Sequence, residues 1–158
     1  MALEDLGRRG AGRVRKFRAQ DVDRVMEILR QSPEAASWSR DSFLEAAGET
    51  GSFALVFETA RELAGFLIGR LVRDQAEVLN LAVSRSRRRE GVASELLQAA
   101  LAEFRSAGAE SVYVEVRESN AVGIAFYSKH GFAAVGRRKD YYRDPVETAV
   151  TMARKLDG

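Results

Sequence analysis

Residues 91–107 carry a pattern that only one regular structure explains. Apolar side chains recur there every three or four positions, as on the buried face of an α-helix, and Gly108 follows as a stop signal. The apolar residues are Val92, Leu96, Leu97, Ala100, Leu101 and Phe104. Such a face is stable only when it packs against another layer of structure. The pattern therefore predicts a long helix that packs on neighbouring elements.

Those neighbours are predicted to be strands. Three segments before the helix are rich in Val, Leu, Ile and Phe and are separated by short polar breaks, as in an antiparallel meander; they are residues 53–59, 63–73 and 76–83. After the helix, residues 111–116 alternate strictly, with Val112 and Val114 on one side and Glu115 on the other. This alternation predicts a strand with one buried face.

The remaining segments complete a mixed α/β chain. Further strands are predicted at residues 14–18, 133–138 and 148–154, with Tyr141 and Tyr142 in the loop between the last two. Three more helices are predicted, one after a cap at Asp21, one over 41–47 and one over 121–130 after a cap at Asn120. A length of 158 residues with 46% hydrophobic content predicts one domain, 13–158, after a flexible tail, 1–12.

Composition excludes several kinds of chemistry. The chain has no cysteine and one histidine, which rules out disulfides, thiolate metal sites, a cysteine nucleophile and a multi-histidine metal site. A net charge of +2 does not indicate wholesale nucleic-acid binding. The longest apolar runs, such as residues 53–57, are too short to span a bilayer, and the protein is expected to be cytoplasmic, without a membrane or metal partner.

The loop before the long helix is a candidate anion site. A strand that ends near Val83 runs through the arginine-rich segment 84–89 into the helix start at Gly91. Amides at a helix start lack intrahelical partners and attract anions, and small residues such as Gly91 and Ala93 let a phosphate come close. The spacing does not match a nucleotide-triphosphate P-loop. The alternative is an ordinary basic surface turn, and these residues alone favour neither interpretation.

Several motifs in family order resemble the GNAT superfamily of N-acetyltransferases. The motifs are Arg88-x-x-Gly91-x-Ala93, the preceding Leu79-Asn80-Leu81-Ala82-Val83, the segment from Glu115 to Ala121, Ala125-Phe126-Tyr127 and Gly131-Phe132. Within the superfamily the chain is most similar to bacterial ribosomal-protein alanine N-acetyltransferases. The resemblance implies a central, mostly antiparallel twisted sheet of about seven strands with about four flanking helices. It also implies transfer of acetyl from acetyl-CoA to an amine, with CoA as product.

The resemblance assigns the cofactor to particular residues. By position, it implies that the backbone of the strand before the loop binds the acetyl-pantetheine arm, that the loop and helix start bind the pyrophosphate, and that Asn120 contacts the cofactor. These cofactor-binding residues are Leu81, Ala82, Val83, Arg88, Arg89, Glu90, Gly91, Val92, Ala93, Ser94 and Asn120. Asn120 also has an ordinary structural role as a helix cap, and both roles are compatible.

Two residues are candidates for proton transfer. Glu115 faces away from the valines of its strand, and the resemblance gives it the role of proton acceptor from the amine, through an ordered water. The alternative is a surface carboxylate paired with Arg117 or a cross-strand arginine. Tyr127 lies on the helix after Asn120, and the resemblance makes its phenol the acid that protonates the leaving thiolate. An aromatic side chain at helical spacing is otherwise a core residue.

The acceptor is the least defined part of the sequence. Trp38, Tyr141 and Tyr142 lie in segments expected to bind the acceptor, or they cover the core. The favoured acceptor is the N-terminal α-amine of a protein such as a ribosomal protein. The alternatives are a small amine such as a polyamine, amino acid or drug, a non-catalytic acetyl-CoA-binding regulatory domain, and an RNA-binding patch at residues 85–89.

Overall fold

A computed structural model of the protein describes residues 12–156. Within that stretch one sheet contains β1 (Gly12–Lys16), β2 (Ser52–Thr59), β3 (Leu63–Val72), β4 (Gln75–Val83), β5 (Ser111–Arg117), β6 (Ala133–Tyr142) and β7 (Glu147–Lys155). The helices are α1 (Val22–Arg30), α2 (Arg40–Ala47), α3 (Val92–Ser106) and α4 (Ala121–Lys129), with short 3-10 turns at Ala19–Asp21 and Arg85–Arg87. The predicted fold class is confirmed. Most of the predicted tail, residues 1–11, lies outside the described residues, and Gly12 already belongs to β1.

Neighbouring strands of the sheet run parallel at one place, between β4 and β5. The strand order is β1-β2-β3-β4-β5-β7-β6, and β4–β5 is the parallel pair among antiparallel ones. This parallel ladder runs only from Gln75 with Ser111 to Val78 with Val114. The register against β3 shifts just beyond it and leaves Leu79 as an extra residue in β4, and such a bulge bends a strand. The sheet therefore opens between the C-terminal ends of β4 and β5.

Helices cover the sheet on both faces. The long helix α3 buries its predicted apolar face against β2, β3 and β4, and Tyr127 of α4 joins the same core. On the opposite face α1 and α2 enclose a second core around Phe43, which has no exposed surface and makes edge contacts with Phe17, Trp38 and Phe66. Both cores converge on β4, so the opening beside that strand has a rigid base.

Two local predictions are wrong. Tyr141 and Tyr142 lie in β6 rather than in a loop, because the ladder to β7 resumes after an irregularity and pairs Tyr142 with Glu147. Asp21 does not cap α1 through its side chain. Its carboxylate instead accepts hydrogen bonds from the Arg15 guanidinium, at 3.0 Å, and from the Arg18 amide, at 2.7 Å. A nearby arginine outcompetes the first-turn amides for these oxygens.

Candidate active site

The opening between β4 and β5 exposes unpaired backbone. Beyond Val78 and Val114 no described residue of one strand pairs with the other, although β4 continues to Val83 and β5 to Arg117. The edge of β4 over Leu81, Ala82 and Val83 therefore lies open to an extended ligand, although the Val83 carbonyl accepts a hydrogen bond from Arg88 Nε at 3.3 Å. The cofactor residues predicted on β4 therefore border the opening.

The loop that follows β4 forms a cradle at the start of α3. Gly91 precedes the helix with φ 85°, Arg89 has φ 68°, and the helix start has no side-chain cap. Left-handed residues in a loop turn neighbouring amides toward one side, an arrangement that favours a bound anion. The first amides of α3, at Val92, Ala93 and Ser94, have no intrahelical acceptor by helix geometry. Nothing lies within 4 Å of the position that a Cβ on Gly91 would take. The residues present fit a diphosphate.

Two arginines of the loop bind neighbouring groups. Arg88 turns its guanidinium to the end of α1, where it donates to the Gln31 carbonyl at 2.9 Å and to Ser32 Oγ at 3.1 Å. Arg87 pairs with Glu62 and Glu90, each at 3.5 Å. The Arg88 guanidinium is therefore held at the end of α1. These engagements also weigh against an RNA-binding patch over 85–89.

Glu115 lies on β5 one residue past the last parallel pair and is nearly covered. Its side chain is 12% exposed, and the Arg138 Nη1 donates to both carboxylate oxygens at 3.2 and 3.1 Å. Thr151 Oγ1 donates to Oε2 at 3.2 Å from β7. Glu115 therefore forms the ion pair that the alternative interpretation expected. Its partner is a cross-strand arginine on β6, Arg138, and not Arg117.

Tyr127 is packed in the core beside α4. Its ring contacts Phe126 and Phe132 at centroid distances of 5.1 and 5.3 Å, and the residue is 7% exposed. Burial, and to a lesser degree the nearby Tyr142, raises the pKa of the Tyr127 phenol well above its ordinary value. The phenol therefore stays protonated at neutral pH, as a proton donor must.

Tyr142 contacts the backbone of Glu115 from β6. Its hydroxyl donates to the Glu115 carbonyl at 3.0 Å, and the Arg117 guanidinium lies 4.4 Å from its ring centre. Burial, followed by the charge of Glu115, raises the pKa of Tyr142 to about 12. Tyr141 is 46% exposed, and its ring lies 4.9 Å from the guanidinium carbon of Arg138. Both tyrosines therefore line the same end of the opening as Glu115.

Asn120 caps α4, and Ser94 lies in the first turn of α3. The Asn120 Oδ1 accepts from the Gly123 amide at 2.9 Å, so the predicted helix cap is confirmed and the side-chain NH2 keeps its donors for another group. Ser94 Oγ lies 3.0 Å from His130 Nε2 and ties the start of α3 to the end of α4. The hydrogen bond therefore fixes α3 and α4 relative to each other beside the site.

Trp38 is set apart from the tyrosines. It is half-buried on the opposite core, where its ring contacts Phe43 at 5.7 Å. The loop that carries it is tied to β4 by Asn80, whose Nδ2 donates to the Ala36 carbonyl at 2.9 Å. Trp38 therefore packs on the core that α1 and α2 enclose, and its contact with an acceptor stays a prediction.

Sequence reasoning missed three residues of the site. Arg138 and Thr151 reach Glu115 only through the pairing of β5, β7 and β6, in which Thr151 stands directly opposite Glu115. Asn80 is 5% exposed within the otherwise apolar segment 78–83, and a polar residue there was the available signal. Among residues 12–156 no group of three His, Cys, Asp or Glu side chains is arranged to hold a metal ion. Across the same residues, no helix combines the length and the apolar character needed to cross a bilayer.

Comparisons with known proteins agree with this geometry. A model of the acetyltransferase (GNAT) family matches residues 22–132. The chain is 33% identical over 129 residues to a [ribosomal protein bS18]-alanine N-acetyltransferase of Escherichia coli K12, covering 79% of this chain and 85% of that protein. It is 32% identical over 158 residues to an N-alpha-acetyltransferase of Sulfurisphaera tokodaii, covering 91% and 93%. The crystal structure of Ard1 from Thermoplasma volcanium superposes with a TM-score of 0.86 at 32% identity, covering 94% and 99%.

Proposed function

The chain belongs to the acetyltransferase (GNAT) family, and we propose that it acetylates the N-terminal α-amine of a protein, with a ribosomal protein as the first candidate. It is an N-acetyltransferase, and enzymes of this family use acetyl-CoA. One observation carries the proposal. The sheet opens beside an unpaired edge of β4, with the α3 cradle at one end and Glu115 near Tyr142 at the other.

The cofactor site follows from that opening. We place the acetyl-pantetheine arm along Leu81–Val83, on the edge of β4 that the β5 ladder does not reach, and the diphosphate on the first amides of α3. The NH2 group of Asn120 is available to donate to the arm, since its oxygen is engaged by Gly123. Bound acetyl-CoA supplies the thioester whose acetyl group is transferred and whose sulfur leaves.

The chain's own groups move two protons. Glu115 takes one from the attacking amine, directly or through a water, and its oxygens are held for this by Thr151. The Tyr127 phenol, kept protonated by burial, donates one to the leaving sulfur. An α-amine has a pKa of about 7.7–8.0, whereas the lysine side chain has a pKa of about 10.4. Removal of a proton from the α-amine therefore needs a weaker base than removal from lysine. A lone carboxylate is suited to the α-amine.

Names of relatives support the class of acceptor. The Escherichia coli and Sulfurisphaera tokodaii proteins are named for acetylation of an α-amine, the first on a ribosomal protein. We therefore propose that residues 13–158 act as one catalytic domain in the cytoplasm, where ribosomal proteins and acetyl-CoA are both present.

The test is an acetylation assay with labelled acetyl-CoA. Peptides beginning with Ala, Ser or Met should be labelled at the α-amine, as located by mass spectrometry. The matched control is each peptide with a formylated N-terminus and one internal lysine, which should stay unlabelled. Labelling only of lysines, polyamines or other small amines would overturn the proposed acceptor, and cofactor binding without any turnover would indicate a regulatory domain.

A further inference from the structure

The two side chains of the Arg138–Glu115 ion pair differ in their exposure to solvent. The carboxylate is 12% exposed, whereas the arginine side chain is 57% exposed and stands on β6, at the edge of the sheet. Glu115 is therefore the buried partner, and Arg138 is an exposed side chain placed over it. Its charge is secure, since Glu115 raises the pKa of the guanidinium further.

The guanidinium fills the positions that an incoming amine needs. Arg138 Nη1 bonds to both Glu115 oxygens, and Thr151 takes a further position on Oε2. A carboxylate oxygen accepts about two hydrogen bonds in its plane. Arg138 and Thr151 therefore occupy three of the roughly four acceptor positions of Glu115, and departure of Arg138 would free two of them for an amine or a water.

We propose that Arg138 is a specificity-determining residue that stands in for the ammonium group of the acceptor. This inference rests on the proposed function. A cationic amine displaces the guanidinium from Glu115. The carboxylate keeps a cationic partner during this exchange, because one cation replaces another. A neutral nucleophile such as water offers no charge in exchange, so Arg138 stays and Glu115 remains blocked.

This arrangement protects the thioester. Without Arg138, Glu115 can take a proton from water whose oxygen attacks the acetyl carbon; the carbon–sulfur bond breaks, the sulfur is protonated by Tyr127, and acetate and CoA are released. The guanidinium suppresses this reaction until an amine arrives. Arg138 also competes with the acceptor amine for Glu115. The acceptor can displace it, because ion pairs of exposed side chains are weak.

The test compares Arg138→Gln with the wild-type protein in two assays. The KM for the acceptor peptide should fall about two- to fivefold, the range expected for loss of an exposed ion pair, while the KM for acetyl-CoA is unchanged. CoA release from acetyl-CoA without acceptor should rise several-fold. Arg137→Gln, whose side chain pairs with Glu118, is the matched control and should change neither quantity.

Methylguanidinium provides an independent readout. It should inhibit Arg138→Gln competitively against the peptide at lower concentration than it inhibits the wild-type protein, because the site is then open to an added guanidinium. An unchanged or higher KM for the peptide, or unchanged CoA release, would overturn the inference. If no peptide is acetylated by the wild-type protein, the proposed acceptor fails, while the CoA-release assay still tests Arg138.

Discussion

Glu115 and Tyr127 are held in opposite ways. Glu115 is oriented by polar partners, Arg138 and Thr151, and stands at the edge of the opening. Tyr127 is oriented by apolar packing against Phe126 and Phe132. A base needs access to its proton donor, whereas an acid benefits from burial that keeps it protonated. The different surroundings match the two roles.

Replacement of the carboxylate tests the base. Glu115→Gln should lower kcat/KM for the peptide by about 10²-fold or more, as for loss of a general base, with acetyl-CoA binding unchanged. Steady-state kinetics with both substrates would measure this. Glu58→Gln on β2 is the control, because it also removes a strand carboxylate from an arginine pair, at 3.1 Å from Arg15. A variant with full activity would remove Glu115 from the mechanism.

Removal of one hydroxyl tests the acid. Tyr127→Phe keeps the ring contacts but cannot donate a proton, so kcat should fall about 10²-fold with little change in melting temperature. Tyr113→Phe is the control, since Tyr113 lies where β4 and β5 still pair. Because the pKa of Tyr127 is raised, the protonated acid persists above pH 10, and the wild-type rate should show no alkaline decline caused by this group below that pH. Equal rates for Tyr127→Phe and wild type would exclude the role.

At the scale of elements, the start of α3 decides cofactor binding. Gly91 and Gly108 lie at the two ends of this helix, with φ 85° and 96° and open space around a Cβ at each. Alanine at either position should cost about 1–2 kcal/mol, because L-residues disfavour this conformation. Only Gly91→Ala should weaken CoA binding, by about tenfold, since it disturbs the amides of the cradle. Calorimetric titration of both variants checks this, and equal affinities would place the diphosphate elsewhere.

The turn from β1 into α1 depends on a buried ion pair. Burial raises the pKa of Asp21, but the hydrogen bonds from Arg15 and from the Arg18 amide outweigh it, so its pKa lies below 3.8. The ionised form therefore stabilises the fold above that pH, and the gain is lost as pH falls through the folded pKa. Asp21→Asn should lower the free energy of unfolding by about 2 kcal/mol at pH 7.

Urea unfolding over a pH series would test this linkage. The difference between Asp21→Asn and wild type should persist at pH 5 and shrink below about pH 4, where Asp21 of the unfolded chain begins to bind a proton. A difference that stays constant down to pH 2.5 would show that charge at Asp21 is not what stabilises the turn.

At the scale of the whole molecule, the binding site coincides with the weakest join in the sheet. Only a short parallel ladder connects β1–β4 to β5–β7–β6. A ligand seated between β4 and β5 contacts both halves and should stabilise them together. At 100 times its dissociation constant, CoA should add about 2.7 kcal/mol and raise the melting temperature by roughly 5–10 °C. Thermal unfolding with and without CoA measures this, and the absence of a shift at millimolar CoA would contradict the site.

Local patterns in the chain determined the elements and the family. The face of α3, the alternation of β5 and the cap at Asn120 each depend on residues close together in sequence, and each is confirmed. The motifs that link them in order also lie within these elements. Periodicity and capping are properties of short segments, so they can be read without knowledge of what the segment packs against.

Only the tertiary structure decided which partners meet at the site. Arg138 reaches Glu115 from two strands away, Arg88 turns to α1 instead of the cradle, and Tyr141 belongs to a strand because β7 pairs with β6 beyond an irregularity. Each outcome depends on strand register and on competition among several arginines for a few oxygens. Those contacts join residues distant in sequence, and no local pattern specifies which one forms.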